Sequence, residues 1–150
     1  GKGDVFTPLP VPLVEKNYFS LPTAGSILPP TIPLSIPAVL DGYWLVLVKP
    51  NDFISTREAY AAVTPRPSKV SLKDIISQPV KTWRGQMVND FEASVFPTHP
   101  VVSSICDQLY MLGASYAAMS GSGSTVYGLF RQQPVLGDVF SGCFLWQCKL

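Results

Sequence analysis

The run Ser120-Gly121-Ser122-Gly123-Ser124 has the composition of a loop that can hold an anion. Glycine enters left-handed backbone conformations without a Cβ clash, so Gly121 and Gly123 permit a sharp turn with exposed amides. Successive N–H groups aimed into such a turn make a concave anion site, and the serine hydroxyls add donors. The same five residues also suit a plain flexible hairpin turn. They do not make a Walker-type P-loop, because no Gly-Lys-Ser/Thr follows. Other chemistry-bearing residues are few. Cys106, Cys143 and Cys148 are odd in number and none lies in a CxxC pair, which fits reduced thiols in a cytoplasm better than disulfides or a zinc site. Cys143 and Cys148 fall in an aromatic run, where packing is the expected role. His99 stands alone before a predicted helix and reads as a polar surface residue. No metal ligand set is predicted.

The loop needs strands on both sides. Ala114–Met119 is predicted to lead into it and Thr125–Phe130 to leave it, with a last strand at Cys143–Cys148. Upstream, Tyr43–Val48 reads as a buried strand after the turn at Asp41-Gly42. Ser55, three residues before Glu58, makes a predicted capping box and starts a short helix that ends before Pro65. Ser71 with Asp74 opens a second short helical turn through Ile76, and Pro79 to Trp83 is irregular. Asn89-Asp90 is read as the cap and first turn of a helix whose Phe91, Val95 and Phe96 share a face, with Asp90 and Glu92 suited to its positive end. Pro100 opens a longer helix with a clean apolar stripe (Val101, Val102, Ile105, Leu109, Leu112), stopped by Gly113 as a C′ glycine. One strand, several helices, then three strands imply an α+β fold: a ferredoxin-like antiparallel sheet with helices packed on one face.

With 150 residues and 47% apolar content, the chain can bury one sizeable core. The charge is balanced, 11 Lys and Arg against 10 Asp and Glu, so neither a nucleic acid nor a membrane surface is an expected partner. No apolar run approaches the ~20 residues of a membrane span. The N-terminus Gly1-Lys2-Gly3-Asp4 carries no signal-peptide pattern. Gly3–Leu9 could form an edge strand. From Pro10 to Pro37, seven prolines break every periodic pattern, while the apolar content stays too high for a purely solvated linker. The expected organisation is residues 1–13 as the trailing strand of a preceding lobe, 14–40 as a Pro-rich linker or insertion, and 41–150 as the domain.

Four pieces together resemble the C-terminal half of the 4-diphosphocytidyl-2-C-methyl-D-erythritol kinase family, within the GHMP kinases. They are Gly1-x-Gly3-Asp4 followed by Pro8-Leu9; Leu47-Val48-Lys49-Pro50 with Ser55-Thr56-x-x-Ala59-Tyr60; Asn89-Asp90-Phe91-Glu92; and Ser120–Ser124. Residues 14–40 do not match the family pattern. The resemblance implies a domain of an ATP- and Mg²⁺-dependent kinase that phosphorylates the 2-hydroxyl of 4-diphosphocytidyl-2-C-methyl-D-erythritol in non-mevalonate isoprenoid biosynthesis. It implies that Ser120, Gly121, Ser122, Gly123 and Ser124 form the third GHMP motif beside the phosphates. It also implies that Thr56 and Tyr60 help hold the cytidine end of the substrate, the ring of Tyr60 stacking on the base; packing of Tyr60 with Ala61 and Ala62 is the alternative. The first nucleotide loop and the catalytic Asp of the family lie upstream. No catalytic residue is therefore expected in this chain, no cofactor is expected to stay bound to it alone, and a missing N-terminal kinase lobe is its implied partner. The exposed lobe-facing surface could also pair two copies. The contrasting reading is a non-catalytic ferredoxin-like module for small-molecule binding or dimerisation.

Overall fold

The structure, a computed structural model, describes residues 38–150. The edge strand expected at Gly3–Leu9 and nearly all of the Pro-rich stretch lie outside them. The four strands are β1 (Trp44–Lys49), β2 (Tyr116–Met119), β3 (Val126–Phe130) and β4 (Phe144–Lys149). They form one antiparallel sheet in the order β2-β3-β1-β4. β1 and β2 therefore run the same way with β3 between them, and β3 and β4 do so with β1 between them. That is the ferredoxin-like arrangement.

Each helix begins where a local capping residue lets it. Ser55 Oγ accepts from the Glu58 N–H at 3.0 Å and starts α1 (Thr56–Ala61). Ser71 Oγ accepts from the Asp74 N–H and starts α2 (Leu72–Ile76). Asn89 Oδ1 accepts from the Phe91 N–H and starts α3 (Asp90–Val95). Pro100 takes the first turn of α4 (Pro100–Met111), where its missing N–H costs nothing. α4 ends at Gly113, whose φ of +105° only glycine adopts freely. The Gly113 and Ala114 amides then donate back to the Tyr110 and Leu109 carbonyls, both at 3.0 Å, closing a Schellman cap.

The expected helical layer covers one face of the sheet. Val102, Ile105, Cys106 and Leu109 of α4, Ala59 of α1 and Val95 of α3 pack on Val46, Val48, Ala117, Met119, Val126 and Phe130. Gly128 lets α4 sit close: a Cβ there would lie 3.0 Å from the Phe130 ring and 3.4 Å from the Leu109 methyls. The residues between β3 and β4 form no helix, and their Leu136 and Phe140 join this core. A second, smaller layer, absent from the sequence-based expectation, covers the opposite face. There Ile75 of α2, Val80 of a 3-10 turn (Val80–Thr82) and Trp83 pack on Tyr116, Ala118 and Leu129. The Trp83 indole N–H is satisfied by the Gln78 carbonyl at 3.0 Å. The described residues include no helix long and apolar enough to cross a membrane.

Candidate functional site

The loop between β2 and β3 is a built structure rather than a slack turn. Ser120 N–H donates to the Thr125 carbonyl at 2.8 Å, and Gly123 N–H to the Ser120 carbonyl at 3.0 Å. Gly121 and Gly123 take φ values of +54° and +90°. Gly123 is doubly constrained, since a Cβ on it would lie 2.7 Å from Ile54 Cδ1 and 2.8 Å from Met119 Sδ. Among the described residues, the amides of Gly121, Ser122 and Ser124 have no protein acceptor. Ser124 is buried at the foot of the loop, whereas Ser120 and Gly121 are exposed.

The loop is held in place by α3. The Asn89 amide donates one N–H to the Met119 carbonyl and the other to the Gly121 carbonyl, each at 2.8 Å. Glu92 Oε1 accepts from the Met119 N–H, also at 2.8 Å. Burial raises the Glu92 pKa from its ordinary value, and the Met119 hydrogen bond partly opposes this. Sequence reasoning gave Asn89 a helix-cap role only. The cap is present, and the tie to a loop 30 residues further on is additional. The one available signal was chemical: a capping Asn uses only its oxygen, so its amide must find an acceptor elsewhere.

Thr56 and Tyr60 lie on α1, both exposed. Tyr60 is 61% exposed, so the packing role with Ala61 and Ala62 does not hold. Its ring instead meets Phe91 edge-on, with centroids 4.8 Å apart. Neither residue hydrogen-bonds to the loop. The two patches are joined through the first turn of α3, where Asn89 holds the loop and Phe91 meets Tyr60. A cleft of about 690 Å³ lies against α3, lined by Arg66, Ser68, Gln86, Asn89, Asp90 and Glu92 among others. None of the seven predicted site residues lines it.

The sequence expectation for His99 is corrected. Its side chain is only 13% exposed, with Nδ1 at 3.0 Å from Asp52 Oδ2 and Nε2 at 2.8 Å from Glu58 Oε1. Glu58 is therefore spent on His99, and only the Ser55 half of the predicted capping box is seen. No group of three or more His, Cys, Asp or Glu side chains among the described residues could hold a metal ion.

Residues 72–139, which include both the loop and the Asn89–Glu92 segment, match the family described as GHMP kinases C terminal. These residues form a GHMP kinase C-terminal domain. The chain is 55% identical over 113 residues to a 4-diphosphocytidyl-2-C-methyl-D-erythritol kinase of Parabacteroides distasonis, covering 74% of this chain and 42% of that protein. It is 50% identical over 114 residues to the enzyme of the same name from Bacteroides thetaiotaomicron, covering 76% of this chain and 40% of that protein. The chain thus spans about two fifths of these relatives. Among solved structures, the GHMP domain is similar to 4-(cytidine 5'-diphospho)-2C-methyl-D-erythritol kinase, with a TM-score of 0.51 at 26% identity over 66% of this chain and 36% of that one. Thr56 and Tyr60 fall outside residues 72–139.

Proposed function

We propose that this domain serves an ATP-dependent kinase that phosphorylates the 2-hydroxyl of 4-diphosphocytidyl-2-C-methyl-D-erythritol. It would work in the cytoplasm with a nucleotide-binding lobe that supplies the first phosphate loop and the catalytic Asp. Residues 1–13 would be the trailing strand of that lobe and 14–40 the connection. Without the lobe, the surface that faces it would favour pairing of two copies, since an uncovered apolar patch tends to find a partner.

The observation that carries the reading is a family match that includes both the Gly-rich loop and the α3 segment that holds it. The donor set fits a phosphate. Gly121, Ser122 and Ser124 offer amides without protein acceptors, and the serine hydroxyls add further donors. ATP, when bound, supplies the transferred phosphoryl group. This chain's part is to orient and to bind. The loop offers fixed dipoles where negative charge lies, which needs no reorganisation at the moment of reaction. Mg²⁺ would be held by the phosphates and the other lobe. On α1, Tyr60 presents an exposed ring in T-shaped contact with Phe91, suited to stack on a pyrimidine, with the Thr56 hydroxyl one turn away.

The test is a calorimetric titration of this chain with 4-diphosphocytidyl-2-C-methyl-D-erythritol and, separately, with Mg-ADP. Stacking on one ring contributes about 1–3 kcal/mol, so Tyr60→Ala should weaken the cytidyl ligand about 5- to 150-fold. Equal affinity in the Tyr60→Ala variant would remove Tyr60 from the site. Tight binding of an unrelated metabolite, with no heat from either ligand, would favour a non-catalytic module.

A further inference from the structure

His99 sits at the corner between α3 and α4. Its own N–H donates to the Val95 carbonyl at 2.8 Å, and its carbonyl accepts from the Val102 N–H at 3.0 Å. The backbone beneath the ring is thus fixed by two packed helices. The ring reaches two other elements: Asp52, in the loop after β1, and Glu58, in the first turn of α1. α1 has only six residues, too few to be stable as an isolated helix. It is also tied to α3 by the buried Ala59, whose carbonyl accepts from Ser94 Oγ at 3.2 Å, and by the Tyr60–Phe91 contact.

Carboxylates at neutral pH accept hydrogen bonds and cannot donate them, so both ring nitrogens of His99 must carry a proton to satisfy both partners. A neutral imidazole has one N–H. Once it forms, one of the two short contacts places a nitrogen lone pair against a carboxylate. We infer that His99 is a positioning residue for the face of α1 bearing Thr56 and Tyr60, clamping that helix to α4 while the imidazole is doubly protonated. The ligand assigned to that face rests on the function proposed above; the clamp does not.

The charged groups that face His99 are Asp52 from the loop and Glu58 from α1. The first turn of α4 contributes no acidic residue and the last turn of α3 no basic one. The bond to Glu58, then that to Asp52, raise the His99 pKa above its ordinary value, and burial opposes them. A histidine raised in the folded state holds its bridge fully below the unfolded value of about 6.5 and loses it as pH rises through the folded one.

His99 is the single histidine of the chain, so its ring signals are unambiguous in an NMR titration. Between about pH 5 and about pH 9, the ring should titrate with a midpoint above 6.5 or so. The Thr56 amide and the Tyr60 ring should shift with the same midpoint, and their response should disappear in His99→Gln. Glu58→Gln keeps the histidine and serves if His99→Gln does not fold: the His99 midpoint should then fall and the Tyr60 response shrink. Thr56 and Tyr60 signals that ignore the His99 titration, or a midpoint unchanged by Glu58→Gln, would overturn the clamp. Titration with cytidine, which has no phosphate to titrate in this window, separates the two claims. Affinity that falls as His99 deprotonates, and does so only when His99 is present, supports positioning of the base site. A coupled titration with no cytidine binding supports the clamp and removes only the ligand.

Discussion

Replacing Asn89 by Asp separates its two jobs without changing its shape. The oxygen that accepts from Phe91 N–H remains, and Asp caps helices about as well as Asn. The two N–H groups that reach the Met119 and Gly121 carbonyls at 2.8 Å are lost. Each such hydrogen bond contributes a net ~0.5–1.5 kcal/mol, so the lost ties cost about 1–3 kcal/mol. A new negative charge at the start of α3 gains about 0.3–1 kcal/mol from the helix dipole. The difference is about 0–2.7 kcal/mol, and the carboxylate oxygen set against the two carbonyls adds repulsion, so Asn89→Asp should destabilise the chain by about 1–2 kcal/mol. Asn89→Ala loses the ties and also the cap, another ~1 kcal/mol, with no compensating charge, for a total of about 2–4 kcal/mol.

The assay is urea unfolding of this chain with both variants, together with hydrogen exchange at the loop amides. Exchange at Gly123, whose N–H bonds to the Ser120 carbonyl, and at Ser120, whose N–H bonds to the Thr125 carbonyl, should speed up in both variants relative to the wild type. Exchange within α3 should speed up in Asn89→Ala alone, because the cap survives in Asn89→Asp. If Asn89→Asp is as stable as the wild type or more so, with unchanged loop exchange, Asn89 is only a helix cap. The account of how α3 holds the loop is then wrong.

Two other outcomes follow from the same core. Gly123→Ala puts a methyl 2.7 Å from Ile54 and 2.8 Å from Met119, at a φ of +90° that disfavours any Cβ, so urea unfolding should show a loss of about 2–4 kcal/mol. A near-neutral result would mean the loop is free to rearrange. The Cys106 thiol, buried beneath the Ala117 carbonyl at 3.6 Å, has its pKa pushed up to about 12, chiefly by burial. It should resist iodoacetamide in the native state at about pH 8 and react only on unfolding, as mass spectrometry will show. Rapid native alkylation would mean that α4 opens from β2.

What the sequence could and could not reveal follows the range of each interaction. The caps at Ser55, Ser71 and Asn89 and the glycine end of α4 depend on partners within five residues, and all four were legible. The stripe of α4 was legible from its period, except that Val101, counted in it, is exposed. The strands came within two residues of their observed ends. Pro79 to Trp83 reads as irregular because its proline and polar residues break any period. Yet Val80 and Trp83 are buried against β2 and β3, a cover that only the folded sheet can create. Likewise, Glu58 scored as a capping-box acid because its position is right, while its actual partner, His99, lies 41 residues away. A residue whose side chain has spare hydrogen-bonding capacity after its local role is met is where sequence reading stops being sufficient.

Asn89 and Glu92 also bear on a hazard of the sheet. β2 is an edge strand, and an edge strand with unpaired N–H and C=O groups is a template for unwanted pairing. Here the outward carbonyl of Ala117 accepts from Tyr110 Oη at 3.1 Å, the Met119 carbonyl from Asn89, and the Met119 N–H donates to Glu92. Side chains from α3 and α4 therefore occupy both of these outward carbonyls and the Met119 N–H, up to the last residue of β2, where the loop begins. The same bonds fix the direction in which the chain leaves β2. An edge blocked by charge or proline alone would leave that exit free to swing. Closing it with Asn89 and Glu92 sets the Gly121, Ser122 and Ser124 amides at a defined place, free of protein acceptors, which is the condition a phosphate-orienting loop has to meet.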